Sequence, residues 1–131
     1  MMVGANMHLP NWPENDLERQ IIALIGEDEA FILFENHGGT RVFFPCRDWE
    51  NSVAFEGLSK EAAYTLSKEF GRDYVRIPLA RKFRCLRYCQ DGLSERQAAK
   101  RLGMTEAGIG RIKRYLRDQG LLSEPKDRLS A

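Results

Sequence analysis

The stretch ERQAAKRLGMTEAGIGRIKR (residues 95–114) has the residue spacing of two short helices that meet at a sharp turn. Ala99 is small enough to let the two helices touch, and Gly103 can adopt the positive φ that ends the first of them. Ile109 and Ile112 are three residues apart, so they share the face of the second helix that packs against the first. This pattern predicts a helix-turn-helix.

Capping residues extend the pattern to three helices. Ser94 opens a Ser-x-x-Gln capping box and predicts a helix over 94–102, and Thr105 caps a second helix over 105–118. The segment before them predicts a supporting helix over 79–90. Its expected apolar face consists of Leu79, Phe83, Leu86 and either Cys89 or Gln90. Three helices in this order are typical of a compact DNA-binding module.

Positive charge is concentrated in the same part of the chain. The 131 residues together have a formal net charge of only +1. Residues 79–117 contain 11 Lys and Arg against 3 Asp and Glu, whereas residues 1–78 contain 7 against 13. A basic block that coincides with a helix-turn-helix pattern favours a phosphate-binding surface over a merely solvated basic face. The expected partner is double-stranded DNA.

Individual residues can be assigned expected roles, because the second helix of such a motif enters the major groove. Arg111 is the candidate base reader, since a guanidinium can form two hydrogen bonds with guanine. Either Thr105 or Ser94 is expected to lend helix-start N–H groups to phosphate. The other outward or phosphate-contacting candidates of the second helix are Glu106, Gly108, Lys113, Arg114 and Arg117. In the supporting helix they are Arg81, Arg84 and Arg87, each equally consistent with a solvated face.

Small residues inside the second helix have two interpretations. Gly108 and Gly110 each cost a helix about 1 kcal/mol relative to alanine. Either they let the backbone approach the floor of a groove, or they clear space against a neighbouring helix. The sequence does not distinguish between the two.

The first part of the chain contains a helix–glycine–strand–proline pattern twice. Helical periodicity begins near Asn15 or Asp16, with an expected apolar stripe of Leu17, Ile21, Leu24 and Ile25. Gly26 interrupts it, and a second helix over 27–36 and a strand over 40–44 follow. The pair GGTRVFFP (38–45) and GRDYVRIP (71–78) match at an offset of 33 residues. Unless the similarity is due to chance, the two strands pair either with each other or with a second subunit, because a lone strand leaves its backbone groups unsatisfied.

Several other classes of function find little support. No apolar run approaches the roughly 20 residues that span a bilayer, and the first residues lack the pattern of a secretory signal, so we expect a cytoplasmic protein. Cys46, Cys85 and Cys89 are expected to be reduced thiols, buried in the case of the last two. Because no catalytic or metal-binding motif is present, no enzyme activity, metal or cofactor is expected.

The order of strand, basic helix and helix-turn-helix resembles the Mor/C family of transcription activators from Mu-like phages and prophages. The resemblance rests on GRDYVRIP (71–78), RKFRCLRYCQDG (81–92) and LSERQAAKRLGMTEAGIGRIKRYLR (93–117). One departure is Arg72, which stands where the family has the second of two glycines. The resemblance covers about residues 59–117.

The resemblance implies a homodimer that binds an inverted repeat and recruits RNA polymerase at a promoter. The strand that pairs across the two-fold axis and lies near DNA corresponds to Tyr74, Val75, Arg76 and Ile77. The expected protein is mainly α-helical. A dimerisation region with short β-strands (1–78) precedes a three-helix helix-turn-helix DNA-binding domain (79–118) and a loose tail (119–131). The alternatives are a phage repressor, an architectural DNA-binding protein or a protein-interaction adaptor.

Overall fold

The structure is a computed structural model that describes residues 16–123. This part of the chain is mainly helical and forms two compact units, which divide between Ala80 and Arg81. Its elements are helix α1 (Asp16–His37), strand β1 (Arg41–Phe44), helix α2 (Lys60–Phe70), strand β2 (Asp73–Arg76), and helices α3 (Arg81–Gln90), α4 (Glu95–Leu102) and α5 (Glu106–Asp118). None of these helices combines the length and the apolar character needed to cross a bilayer.

Helix α1 is broken where the sequence predicts it. Gly26 has φ 87° and ψ 166°, values that no helix accommodates, so the helix changes direction there. The buried side of α1 differs from the expected stripe of Leu17, Ile21, Leu24 and Ile25. Only Ile21 of these is buried, and the other buried residues are Glu18, Ile22, Ala30, Leu33 and Phe34. The buried positions thus lie on both sides of Gly26, in the two helical segments that the break separates.

The two strands pair with each other in an antiparallel sheet within the chain. The directly opposed residues are Arg41 and Arg76, Val42 and Val75, Phe43 and Tyr74, and Phe44 and Asp73. Ile77 N–H donates to the Thr40 carbonyl at 2.8 Å and extends the ladder beyond β2. Of the two pairings that the sequence leaves open, the described residues therefore adopt the intrachain one.

The sheet gives the two sequence copies equivalent positions. Val42 and Val75, which match at the offset of 33 residues, lie directly opposite each other. Gly39 and Arg72 also match, and both have positive φ, at 86° and 72°. Arg72 thus adopts the left-handed conformation that the corresponding glycine adopts in the first copy, at a cost that a glycine avoids. A local two-fold relation therefore connects the two helix–strand units.

One face of the sheet forms the core of the first unit, and the other is exposed. Phe44 is fully buried and packs against the rings of Phe55 and Phe70, at centroid distances of 5.4 and 5.8 Å. Phe55 belongs to one of two short 3₁₀ turns (Trp49–Asn51 and Val53–Phe55) that the sequence does not predict. Helix α1 packs on α2 and completes the unit.

The ends of the second unit differ slightly from the prediction. Helix α3 begins at Arg81 rather than at residue 79, because Ala80 has φ 51° and cannot belong to a right-handed helix. Leu79 therefore does not lie on the apolar face of this helix and is 39% exposed. Residues 119–123 form a turn after α5. The rest of the predicted tail, 124–131, lies outside the described residues.

The sheet register predicts unequal costs for two neighbouring phenylalanines. Phe44→Ala should lower the free energy of unfolding by about 3–5 kcal/mol, because it removes a fully buried ring. Phe43 is 45% exposed and contacts Tyr74 across the sheet at 5.1 Å, so Phe43→Ala should cost about 1 kcal/mol. Urea denaturation of both variants measures the difference. Equal losses would contradict this register.

Candidate nucleic-acid interface

Helices α4 and α5 meet at a turn built from residues 103–105. Gly103 has φ 67° and ends α4, as its position in the sequence predicts. At the other end of α4, Gln97 N–H donates to Ser94 Oγ at 3.1 Å and Ser94 N–H donates to Gln97 Oε1 at 2.8 Å, which completes the predicted capping box. Thr105 Oγ1 accepts from Gly108 N–H at 3.0 Å and caps α5. Local chemistry therefore fixes both ends of this turn.

The three helices of the second unit pack on one another through small and apolar side chains. Ala99, Ile109 and Ile112 are buried, in agreement with the prediction from their spacing. The remaining buried members of this core are Ala98, Leu102, Leu116, Phe83, Cys85 and Tyr88. The close approach of α4 and α5 leaves their polar faces pointing to solvent.

Helix α3 buries Phe83 as expected, but the rest of its buried face differs from the prediction. Arg84, Cys85 and Tyr88 are buried, whereas Leu86 and Cys89 are only half-buried. An Arg84 guanidinium nitrogen donates to the Tyr88 hydroxyl at 3.2 Å and to the Arg101 carbonyl at 3.4 Å. The prediction that Arg84 contacts phosphate is therefore wrong, because its side chain serves the core. Tyr88 of the same helix and Arg101 of α4 thus provide hydrogen-bond acceptors for the buried guanidinium.

The outer face of α5 carries two exposed arginines, Arg111 and Arg114. They are three residues apart and so point to the same side of the helix. Lys113 and Arg117 lie on its flank and are half-buried, and Lys113 Nζ is 3.5 Å from Glu95 Oε2 of α4. The two exposed guanidinium groups are therefore better placed than the flanking cations to reach a ligand in front of α5.

The remaining predicted contact residues occupy different positions. Arg81, Ser94, Thr105 and Glu106 are exposed. Arg87 is half-buried and lies 4.0 Å from Asp91 one turn later on the chain. The N–H group of Ser94 already donates to Gln97 and does not suit the expected phosphate contact.

Gly108 and Gly110 play different parts in α5. Gly108 is buried, so its predicted outward position is wrong; a β-carbon there would lie 2.9 Å from Met104 Cε and 3.3 Å from Thr105 Oγ1. At Gly110, a β-carbon would meet nothing within 4 Å. Packing therefore explains Gly108, and a close approach of another molecule to the backbone remains the interpretation for Gly110.

Helix α4 adds basic residues that are missing from the set of predicted contacts. Arg96, Lys100 and Arg101 are all exposed. Arg101 also lies over the Tyr88 ring at 5.6 Å from its centroid. Residues 96 and 100 are four apart and share one face. Their helical spacing, combined with the basic composition of this segment, is the signal that identifies them.

In the first unit, the predicted dimer strand divides between the two faces of the sheet. Val75 and Ile77 are buried, while Tyr74 and Arg76 are exposed. The guanidinium of Arg41 lies 5.2 Å from the centroid of the Tyr74 ring. The exposed face is thus aromatic and basic.

The cysteines are distributed unevenly. Cys85 is buried as expected, Cys89 is half-buried, and Cys46 is exposed. The Arg72 Nε–H donates to Cys46 Sγ at 3.4 Å, and this hydrogen bond is the main cause that lowers the pKa of Cys46. Within residues 16–123, no three His, Cys, Asp or Glu side chains are grouped closely enough to hold a metal ion.

Comparison with known proteins yields no matching family model, no matching curated protein and no matching solved structure.

The two glycines of α5 should respond differently to alanine. Gly110→Ala should raise the free energy of unfolding by about 1 kcal/mol, because alanine is the better helix former and its β-carbon meets open space. Gly108→Ala should raise it by less, since Met104 must move to admit the new methyl group. Thermal or urea unfolding gives both values. A destabilising Gly110→Ala would show that something already covers this position.

Proposed function

We propose that this chain is a sequence-specific DNA-binding transcription regulator that inserts α5 of a helix-turn-helix into the major groove. The observation that carries the proposal is the outward face of α5, where Arg111 and Arg114 are exposed beside the open position of Gly110. Arg111 lies in the N-terminal half of the helix, which faces base edges in this motif. It is assigned to base reading and Arg114 to phosphate.

The exposed side of α4 supports this docking mode. In a helix-turn-helix, the first helix crosses the DNA backbone while the second enters the groove. Arg96 and Lys100 occupy one exposed face of α4 and suit phosphate contacts there. Charge alone does not favour one DNA sequence over another, so these contacts supply affinity and orientation. The specificity is assigned to α5.

The biological role is that of an activator, in line with the resemblance to the Mor/C family. In this role the protein binds an inverted repeat as a homodimer and recruits RNA polymerase to a nearby promoter. The edge of β2 that no other strand occupies among residues 16–123 is the surface that we assign to dimerisation, since β1 pairs with its other edge. Repression would instead require the bound protein to overlap the polymerase site. Footprinting combined with transcription in vitro distinguishes activation from repression.

Two arginine variants test the division of roles on α5. The probe is a duplex enriched from a random DNA pool by the protein itself. Arg111→Ala should relax the preference at one base pair by about 1–3 kcal/mol. Arg114→Ala should weaken binding to all sequences alike and reduce the slope of log Kobs against log salt by about one.

Lys60→Ala is the matched control for these variants, because Lys60 is an exposed cation of the first unit. Its affinity, specificity and salt slope should equal those of the unmodified protein. Uniform losses from Arg111→Ala and Arg114→Ala would refute the assignment of base reading to Arg111. Absence of DNA binding, or binding that salt does not weaken, would refute the proposed function and favour the protein-interaction adaptor.

A pair of proline variants tests the dimer. Arg41 and Arg76 lie directly opposite each other in the sheet. The next residue, Ile77, donates its N–H to the partner strand. Because successive N–H groups of an antiparallel strand point alternately toward and away from the partner, the N–H groups of both arginines point away from it. Arg76→Pro removes a donor from the free edge of β2, and Arg41→Pro removes one from the free edge of β1. Sedimentation velocity should show a dimer for the unmodified protein and Arg41→Pro, and a monomer for Arg76→Pro.

Circular dichroism of both variants is the folding control for this comparison. A monomeric unmodified protein would contradict the homodimer. Dissociation by both prolines, or by neither, would place the dimer contact away from β2.

A further inference from the structure

The exposed sheet face combines aromatic rings with positive charge. Side chains two residues apart on a strand point to the same side, so this face carries Arg41, Phe43, Tyr74 and Arg76. Phe43 is 45% exposed and Tyr74 is 65% exposed. The two residues lie directly opposite each other, with ring centroids 5.1 Å apart. Exposed apolar side chains that lie together, unlike scattered ones, mark interaction surfaces.

The two arginines of this face form an unfavourable pair in the free protein. Arg41 and Arg76 lie directly opposite each other, and like charges in that arrangement destabilise a sheet. Both are exposed, and no carboxylate among residues 16–123 forms an ion pair with either. Asp73 of β2 lies opposite Phe44 and so belongs to the other side of the sheet. An anion placed between the two guanidinium groups would relieve their repulsion.

The Tyr74 ring already has a planar group over it. The guanidinium of Arg41 lies 5.2 Å from the ring centroid. A cation over an exposed ring is held weakly, so another planar group can replace it and leave the guanidinium available to an anion. The planes of Phe43 and Tyr74 are inclined at 57° to each other. The two rings therefore do not form one flat platform, and each must receive a planar group of its own.

The ligand that suits this face combines flat, stackable groups with negative charge at short intervals. An acidic protein surface would satisfy the arginines and leave the rings without a partner. Nucleic acid supplies both features, since its bases stack on aromatic side chains and its phosphates attract arginine. In a duplex the bases stack on one another and present only their edges to a protein, so stacking on these rings requires unpaired bases.

The hydrogen-bonding groups of the face favour DNA over RNA as the ligand. Proteins distinguish RNA through its 2′-hydroxyl, which both donates and accepts hydrogen bonds. Guanidinium groups only donate, so the Tyr74 hydroxyl is the one side-chain acceptor that these four residues offer. The face therefore has little with which to recognise a ribose.

We propose that the exposed sheet face binds single-stranded DNA, with one base stacked on each ring and a phosphate between Arg41 and Arg76. Neighbouring positions on one side of a strand are about 7 Å apart, a distance comparable with that between the base and the phosphate of one nucleotide. Extension of the sheet through the edge of β2 assigned to dimerisation would leave this face open. The face belongs to the first unit, whereas α5 belongs to the second.

The first experiment tests stacking with a fluorescent oligothymidylate of about 12 nucleotides, long enough for one such site. Tyr74→Leu keeps an apolar side chain but removes the ring, so it should weaken binding about fivefold or more. Tyr74→Phe should bind like the unmodified protein. Tyr64→Leu is the matched control, because Tyr64 is 49% exposed but lies on α2. Unchanged binding by Tyr74→Leu, or an equal loss from Tyr64→Leu, would overturn the proposal.

The second experiment tests the phosphate contact through the salt dependence of the same binding. Arg76→Gln should reduce the slope of log Kobs against log salt by about 0.7, the value for one phosphate of a single strand. Lys60→Gln should leave the slope unchanged, since Lys60 lies on α2. A slope that Arg76→Gln does not alter would overturn the phosphate contact.

The third experiment locates the strand without any variant. Oligothymidylate carrying 5-iodouracil is bound and irradiated, and the crosslinked peptides are mapped by mass spectrometry. Crosslinks are expected on Phe43 or Tyr74, and crosslinks confined to other residues would overturn the proposal. Sedimentation velocity of Tyr74→Leu should show the oligomeric state of the unmodified protein. A change in that state would show that a second copy of the chain covers this face and would also overturn the proposal.

The fourth experiment separates this surface from α5 and from RNA binding. Tyr74→Leu should bind the selected duplex like the unmodified protein, and Arg111→Ala should bind oligothymidylate like it. An equal loss of duplex binding in Tyr74→Leu would place the ring against double-stranded DNA and overturn the proposal. Tighter binding of oligouridylate than of oligodeoxyuridylate would overturn the choice of DNA. If no duplex is bound, the proposed function fails, while the oligothymidylate results still decide the role of the sheet face.

Discussion

The antiparallel pairing of β1 with β2 is the constraint on which the first unit depends. Each strand has only four residues and no other strand beside it among the described residues, so the ladder satisfies backbone groups that would otherwise be exposed or buried without partners. The same pairing sets the register that buries Phe44, Val75 and Ile77 together on one face. The strands can meet only if the chain turns in the same way after each helix. The positive φ of both Gly39 and Arg72 reflects this requirement.

In the second unit, the buried contacts between helices and most of the basic residues lie on different faces of the helices. Small residues at the contact, above all Ala98 and Ala99, let α4 approach α5 closely and remove the apolar side chains from solvent. The basic residues then occupy the outer faces, with Arg84 as the exception. That arginine is held inside by the Tyr88 hydroxyl and the Arg101 carbonyl, so it contributes to helix packing rather than to the surface potential. A count of basic residues therefore overstates the charge available to a ligand.

Features that depend on neighbouring residues were predictable from the sequence, and features that depend on distant contacts were not. The break at Gly26, the left-handed Gly103 and the caps at Ser94 and Thr105 all follow from the conformational preferences of the residues involved. The buried Glu18 and Arg84 contradict hydrophobic periodicity, because tertiary contacts decide their burial. The choice between pairing β2 with β1 and pairing it with a second subunit is likewise nonlocal. For the candidate interface, spacing identified Arg111 and Arg114, but it could not show that Gly108 faces inward.

The intrachain sheet changes what a second subunit has to provide. In the Mor/C family, which the sequence resembles, one strand from each subunit pairs across a two-fold axis. Dimerisation there also supplies the hydrogen-bond partners of the strand's backbone groups. Here the two helix–strand copies within one chain, which match at an offset of 33 residues, place Val42 opposite Val75. The two-fold relation therefore arises inside a single chain. The strand ladder can therefore form without a partner. A homodimer must gain its stability from additional surface, and the exposed sheet face offers Phe43 and Tyr74 beside two arginines. We therefore keep the edge of β2 that β1 does not occupy as the proposed dimer surface, because its backbone groups can extend the ladder.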